Sequence, residues 1–268
     1  MAMERQAHAK INWMLRITGR RPDGYHDLET IFQTISLHDT LSFMPSQTLS
    51  LQCDDPAVPT DQSNLVVRAA RALGVDNVAI SLHKRIPAGG GLGGGSSDAA
   101  ATLVALARQG VSQDRLQEIA LSLGSDVPFF LMGGTAYATG RGEQLVPLPR
   151  ASGIPLLLVL PEERMSTARA FGMLRKYSAP LGLERARRLA GDAGSLPVGE
   201  LINDFEEPVF AELPQLRSWK ERLSACGATF AAMSGSGSTL FGVFATVVAR
   251  DAAAEQFPDV RVERAETL

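Results

Sequence analysis

Hydrophobic positions change their period several times along the chain, and each change marks an element. Residues 9–17, AKINWMLRI, are apolar with little interruption and predict a short strand. The polar stretch RPDGYHDLET follows, where Pro22, Asp23 and Gly24 supply turn conformations. A second strand region is predicted over residues 31–43. From Asn64 the period becomes helical: Leu65, Val66, Ala69, Ala70 and Leu73 share a face, with Asn64 placed to cap and Gly74 to stop the helix. Val78, Ile80 and Leu82 then alternate as a half-buried strand does.

A glycine-rich run interrupts this order, and beyond it Leu103, Val104, Leu106 and Ala107 form a helical stripe that Gly110 closes. Ser112 opens another helix through Leu116, Ile119 and Leu123 to Gly124, which leaves Asp126 in a short loop just after a helix. Residues 128–148 read as strands joined by turns at Gly133, Gly134 and 140–142. A polar link at 151–154 precedes a buried strand over 155–160, then helical segments after Ser166 and from Glu184. TFAAMSGSGSTLFGVF, residues 229–244, reads as strand, glycine loop, strand; a helix from Val247 and a strand over 260–263 complete a mixed α+β unit. The expected division is into domains 1–150 and 151–268, with no internal repeat or coiled coil.

Charge and cysteine usage narrow the function classes. With 26 Lys+Arg against 29 Asp+Glu, nothing in the balance suggests nucleic acid or an anionic membrane as partner, so any anion is met locally. Cys53 and Cys226 belong to no CxxC pair, which fits a reducing cytoplasm. The most apolar segment, residues 154–160, is far too short to span a bilayer, and neither export nor insertion is expected. No obligate protein partner is evident. Four histidines (His8, His26, His38, His83) lack metal-ligand spacing, which argues against zinc.

The glycine run carries the chemistry. Residues 86–103 read IPAGGGLGGGSSDAAATL, with six of seven positions from 89 to 95 glycine. A P-loop requires lysine and a hydroxyl residue directly after its last glycine, but Gly95 is followed by Ser96 and Ser97. The dinucleotide pattern GxGxxG is met by Gly89, Gly91 and Gly94, almost automatically in such a stretch, and the alternating strand before it is unlike a central parallel strand. A flexible linker has this composition too, yet a strand leads in and a helical pattern leads out. The favoured reading, with the linker kept as its alternative, is a loop of unobstructed N–H groups around a polyphosphate, at the positive end of a helix starting near Ser97.

Pro87, Ala88, Gly89, Gly90, Gly91, Leu92, Gly93, Gly94, Gly95, Ser96 and Ser97 closely resemble the ATP-binding loop of the GHMP kinase superfamily, which includes galactokinases, homoserine kinases and mevalonate kinases. AKIN at 9–12 resembles the first motif of that superfamily, and MSGSGST at 233–239 its third. RPDGYH at 21–26 and LGSDVPFF at 123–130 are similar to the branch that phosphorylates a cytidine diphosphate derivative of methylerythritol. His8 departs from that branch, which usually has proline before AK. The resemblance implies an α+β, two-domain GHMP kinase fold: an N-terminal ribosomal-protein-S5-like α/β domain, a C-terminal ferredoxin-like α+β domain, and the active site in the cleft. It also implies ATP-dependent phosphorylation of the 2-hydroxyl of the cytidylated substrate.

Residue roles follow from the same likeness. Asp126 is the implied acid/base residue and Lys10 its partner, keeping it ionised and offsetting charge near the transferring group. Taken singly, an Asp after a helix is usually a cap and a Lys usually a solvated charge. Lys10 adds an independent hint, because an unpaired ammonium in an apolar strand is costly. Ser96 and Ser97 suit helix capping, phosphate contact or Mg²⁺ ligation; Mg²⁺ is implied by ATP chemistry, without identified ligands. Tyr25 and His26 match the branch's cytosine-binding pair, one stacking and the other hydrogen-bonding. Phe171 is a candidate for the opposite face of the base, or equally a helix core residue. Asn12 is expected to orient the hydroxyl-bearing end of the substrate, Asn64 to lie near the nucleotide or cap its helix, and Cys226 to end a helix. The competing readings are another GHMP small-molecule kinase, of homoserine or mevalonate type, and a catalytically silent nucleotide-binding protein on the same fold.

Overall fold

Two long strands open the chain in the computed structural model, which describes residues 3–107, 111–149, 151–191 and 200–268. Strand β1 (Met3–Arg20) pairs with β2 (His26–Pro45), and both extend well beyond their apolar centres. Backbone pairing, which is indifferent to side-chain polarity, carries the ladder into the flanks. Between them the Arg21 N–H donates to the Tyr25 carbonyl at 2.8 Å, and Gly24 takes the positive φ of 86° that the turn requires.

The chain then runs β3 (Ser50–Cys53), α1 (Leu65–Ala72), β4 (Val78–His83), α2 (Gly94–Leu106), α3 (Gln113–Leu123), α4 (Val127–Met132), β5 (Thr135–Thr139) and β6 (Gln144–Pro147). Next come β7 (Pro155–Leu160), α5 (Thr167–Met173), α6 (Leu183–Gly191), α7 (Glu206–Glu212), α8 (Pro214–Ala225), β8 (Phe230–Met233), β9 (Leu240–Val243), α9 (Val247–Ala254) and β10 (Arg261–Glu266).

One compact unit gathers Met1–Ala9, His38–Ala88 and Gly93–Gly133. In it the second half of β2 pairs antiparallel with β4, and β4 pairs parallel with β3. Leu41, Phe43, Ile80 and Leu82 meet Val66, Val67 and Ala70 of α1 in one apolar cluster. A second cluster joins Ala99, Ala100 and Leu103 of α2 to Ile119 and Ala120 of α3 and to Val127. The alanines let these helices approach closely. Asn64 and Ser112 cap α1 and α3 as the sequence predicts, accepting from Val66 N–H and Arg115 N–H.

The other compact unit comprises Lys10–Leu37, Gly89–Leu92 and Gly134–Leu268. Here the first half of β2 pairs antiparallel with β5, and β5 with β6. An antiparallel sheet of order β10-β7-β9-β8 carries Leu157, Val159, Met233 and Leu240 into a cluster with Phe205, Val209, Leu216, Trp219 and Leu223 from the helical side. Burial of every residue from Leu156 to Leu160 accounts for the unbroken apolar run there. The compact units interleave along the chain, because β1 and β2 each contribute to both.

Residues 127–132 are helical, contrary to the strand expected there. Pro128 in the first turn is pre-set for a helix, Val127 and Phe129 are buried, and Gly133 at φ 66° ends it. Helix α2 starts at Gly94, three residues before the expected point, with Gly93 at φ 72° as its N-terminal boundary. β3 and α7 were not foreseen, and α8, with Leu216, Trp219 and Leu223 buried at helical spacing, was anticipated only at its end; the last strand is Arg261–Glu266 rather than 260–263. Gly110, the expected helix stop, lies outside the described residues. Cys226 ends α8 as expected.

Replacing Asn64 by Ala removes the side-chain acceptor at the start of α1 and should destabilise the protein by about 1 kcal/mol. Urea unfolding of parent and variant measures this.

Candidate active site

Lys10 stands in the middle of β1 with only 3% of its surface exposed. Its ammonium donates to Asn12 Oδ1 at 2.6 Å and lies 5.3 Å from the centre of the Phe32 ring. Two residues apart on one strand, Lys10 and Asn12 share a face, which lets the amide meet the ammonium. Asn12 is held in turn: its Nδ2 donates to Thr30 Oγ1 at 2.7 Å, and that hydroxyl donates to the Met14 carbonyl at 2.6 Å. A chain of hydrogen bonds therefore fixes the cation from below.

Two glycine turns meet beside it. The carbonyls of Gly90, Gly91 and Leu92 accept from Thr239 N–H (3.2 Å), Ser234 Oγ (3.0 Å) and Lys10 N–H (3.0 Å). In a trans peptide the N–H points opposite to its carbonyl, so these bonds turn the N–H groups of Gly91, Leu92 and Gly93 to the other side of the loop. Successive N–H groups aimed one way form an anion cradle. Asn203 steadies the partner turn by donating to the carbonyls of Met233 and Gly235, both at 2.8 Å. A Cβ at Gly91 would lie 2.1 Å from the Ser234 carbonyl oxygen, and one at Gly235 would lie 3.4 Å from Lys10 Nζ. Bare backbone is needed at both turns.

In the other unit, Asp126 occupies the N-terminal boundary of α4, half-buried, and its side chain makes no capping bond. The bland explanation, a helix cap, does not describe it. The Ser97 hydroxyl is buried and donates to the His8 carbonyl at 2.6 Å, while Ser96 is half-buried in the first turn of α2. Neither serine caps the helix, whose boundary residue is Gly93. Asn64 caps α1 and also donates to the Pro59 carbonyl at 2.6 Å.

A buried cluster here escaped the sequence reading. Lys84 Nζ donates to Asp39 Oδ2 and, at 2.9 Å, to Asp98 Oδ2. Burial pushes the Asp98 carboxyl up to about 7; Lys84 opposes the rise and Asp39 adds to it. For Lys84 burial works against the charged form, but the two carboxylates win and the ammonium titrates above its ordinary value. The available signal was a charge inside an alanine-rich helix and another inside an apolar strand.

The candidates for base recognition lie around the β1–β2 turn. Tyr25 is 55% exposed, with the Arg141 guanidinium 4.8 Å from its ring centre. His26 stacks on Phe171 at 4.7 Å and 18°, and Phe171 meets Phe205 edge-on at 4.9 Å. Phe171 thus packs against the apolar cluster and also presents a face to His26. Burial, followed by nearby Arg20, lowers the His26 pKa and favours the neutral imidazole. Arg141, in the β5–β6 turn, was not foreseen.

Among the described residues no group of three or more His, Cys, Asp or Glu could hold a metal ion, and no helix is long and apolar enough to cross a membrane. A Mg²⁺ brought in by ATP is compatible with this, since Mg²⁺ is held largely by substrate phosphates and water.

Comparison with known proteins agrees with these features. The family described as GHMP kinases N terminal domain matches residues 64–134, and GHMP kinases C terminal matches residues 183–261. The fold is that of an ATP-dependent phosphotransferase of this class. A curated protein of Chlorobium luteolum, 4-diphosphocytidyl-2-C-methyl-D-erythritol kinase, is 45% identical over 90% of this chain and 88% of its own length. Its namesake in Solibacter usitatus is 46% identical over 91% of this chain and 83% of its own length. A crystal structure of 4-(cytidine 5'-diphospho)-2C-methyl-D-erythritol kinase superposes with a TM-score of 0.85 at 36% identity, covering 99% of each chain. Homoserine kinase from Cytophaga hutchinsonii shares the fold, with a TM-score of 0.73 at 19% identity, 100% of this chain and 94% of that one. The chain belongs to the 4-diphosphocytidyl-2-C-methyl-D-erythritol kinase family.

Two outcomes follow from this geometry. Gly91→Ala combines a positive φ of 80° with a backbone clash, so catalytic efficiency should fall at least about 100-fold, read from steady-state kinetics. Asp98 provides a pH test. Between about pH 4, the ordinary carboxyl value, and about 7 its proton is bound in the folded state and lost in the unfolded one. Stability therefore falls as pH rises through that window, and Asn, which cannot ionise, escapes the loss. Scanning calorimetry should show the Tm of Asp98→Asn gaining on the parent between pH 5 and pH 8; an unchanged or shrinking difference contradicts the assignment.

Proposed function

We propose that the chain transfers the γ-phosphoryl group of ATP to the 2-hydroxyl of 4-diphosphocytidyl-2-C-methyl-D-erythritol, giving ADP and the 2-phosphate. This is a step in the non-mevalonate route to isoprenoid precursors. The observation that carries the reading is the buried Lys10 ammonium beside the turns at Gly91 and Gly235, in a chain whose relatives bear that kinase name along most of their length.

In the proposed reaction the acceptor oxygen bonds to the γ-phosphorus as the bridge to the β-phosphate breaks, and ADP leaves with that bridging oxygen. Asp126 accepts or orients the hydroxyl proton, and Lys10 offsets the charge that develops on the transferring group. Asn12 holds the Lys10 ammonium toward the hydroxyl-bearing end of the substrate. Residues 87–97 hold the triphosphate through backbone N–H groups, and the amino end of α2 adds positive potential. Mg²⁺ held by the phosphates would neutralise part of their charge, and no ligand set in this chain is assigned to it.

Tyr25 offers its exposed ring to the cytosine, and the neutral His26 hydrogen-bonds the base edge. Phe171 steadies the imidazole it stacks on. We further propose a division at residue 150, supported by the two family matches on either side of it. A reducing cytoplasmic setting, with no nucleic acid, membrane or obligate protein partner, accords with the net charge of -3 and the free Cys53 and Cys226.

ADP release by the purified protein, measured in turn with the cytidylated substrate, homoserine and mevalonate, tests the reading. Turnover is expected on the first alone; activity confined to either of the others refutes it. Asp126→Asn should lower kcat by about 10²–10⁴-fold while ATP still binds. A near-normal kcat in that variant takes Asp126 out of the mechanism.

A further inference from the structure

The strongest unused feature is the buried Lys84–Asp39–Asp98 cluster. Side-chain exposure is 5% for Lys84, 0% for Asp39 and 3% for Asp98. Burying two carboxylates and an ammonium is a poor route to stability, since desolvation offsets most of the attraction. Asp98 Oδ1 even lacks a hydrogen-bond partner. Such a cluster calls for a role other than stability.

Its connections suggest one. Asp39 Oδ1 accepts from the backbone N–H groups of Arg85 and Ile86, at 2.6 and 2.8 Å, and so fixes the segment that enters the glycine run at Pro87. Asp98 lies in α2, directly after Ser97, on the segment that leaves the run. Lys84 joins the two carboxylates. Gly94 completes the junction: a Cβ there would come 3.0 Å from Ile86 Cγ2 and 3.3 Å from Lys84 Nζ. Entry and exit are thereby tied at one point under the first turn of α2. A loop whose stems are held at a fixed span loses little freedom when it closes on a ligand.

We infer that Lys84, Asp39 and Asp98 are positioning residues for ATP, holding the two stems of the glycine run so that its N–H groups face the triphosphate. The inference rests on the reading of that run as the ATP site. No chemical step passes through the three residues. Since burial favours the protonated form of Asp98 near neutrality, asparagine reproduces its shape and its acceptor for Lys84, whereas alanine removes the tie to α2.

Binding of ATP to the full chain, by calorimetry without acceptor, tests this independently of the substrate assignment. Lys84→Met and Asp98→Ala should weaken ATP at least about 10-fold, while Asp98→Asn stays within about 2-fold of the parent. Hydrogen exchange at the amides of residues 89–95 should quicken in Asp98→Ala and not in Asp98→Asn. Binding of the cytidylated substrate should not change in any of the three. Where Lys84→Met does not fold, the comparison of Asp98→Ala with Asp98→Asn decides alone. Parent-like ATP affinity in a folded Asp98→Ala, or equal weakening of both ligands, overturns the inference. A parent that binds no ATP refutes the underlying reading of the loop instead.

Discussion

Two backbones approach so closely at Gly91 that no side chain fits between them, and the geometry around Lys10 depends on that approach. The carbonyls of Gly90, Gly91 and Leu92 are all taken by protein donors, which fixes the direction of the intervening peptide planes. Any residue with a Cβ at Gly91 would separate the turn from Ser234 and release those bonds. The same contact keeps the 234–238 turn beside the ammonium, with Asn203 holding its other carbonyls.

Two lysines carry charge into the interior. Lys10 is buried with its ammonium on an amide oxygen and near an aromatic face. Lys84 is buried against two carboxylates and is electrostatically spent. Both lysines are almost fully enclosed, so each depends on the polar groups that the fold places around it.

Much of the architecture was legible because it is local. Asn64 and Ser112 announced their helices through cap chemistry, and the alternation at Val78, Ile80 and Leu82 announced β4. The failure at residues 127–132 has an equally local cause: a short run with two adjacent phenylalanines fits strand and helix alike until Pro128 and the burial of Val127 and Phe129 decide. Strand β3 and helix α7 were missed because packing supplies their stability where the pattern does not, whereas α8, marked only by its end at Cys226, carries Leu216, Trp219 and Leu223 at helical spacing.

The sequence alone singled out the candidate segments for the chemistry: a glycine run without a Walker lysine, a lysine inside an apolar strand, a DGYH turn and an aspartate before PFF. Composition and motif order suffice for that, because each segment's chemistry resides in its own residues. Tertiary structure decided which of them touch. Asn12 became the support of Lys10, Phe171 the stacking partner of His26, and Lys84, Asp39 and Asp98 one cluster drawn from positions up to 59 residues apart, from 39 to 98. Except for Lys10 and Asn12, neighbours on one strand face, those contacts join residues far apart in the chain, and only the register of paired strands and the packing of helices on them bring such positions within a few ångströms.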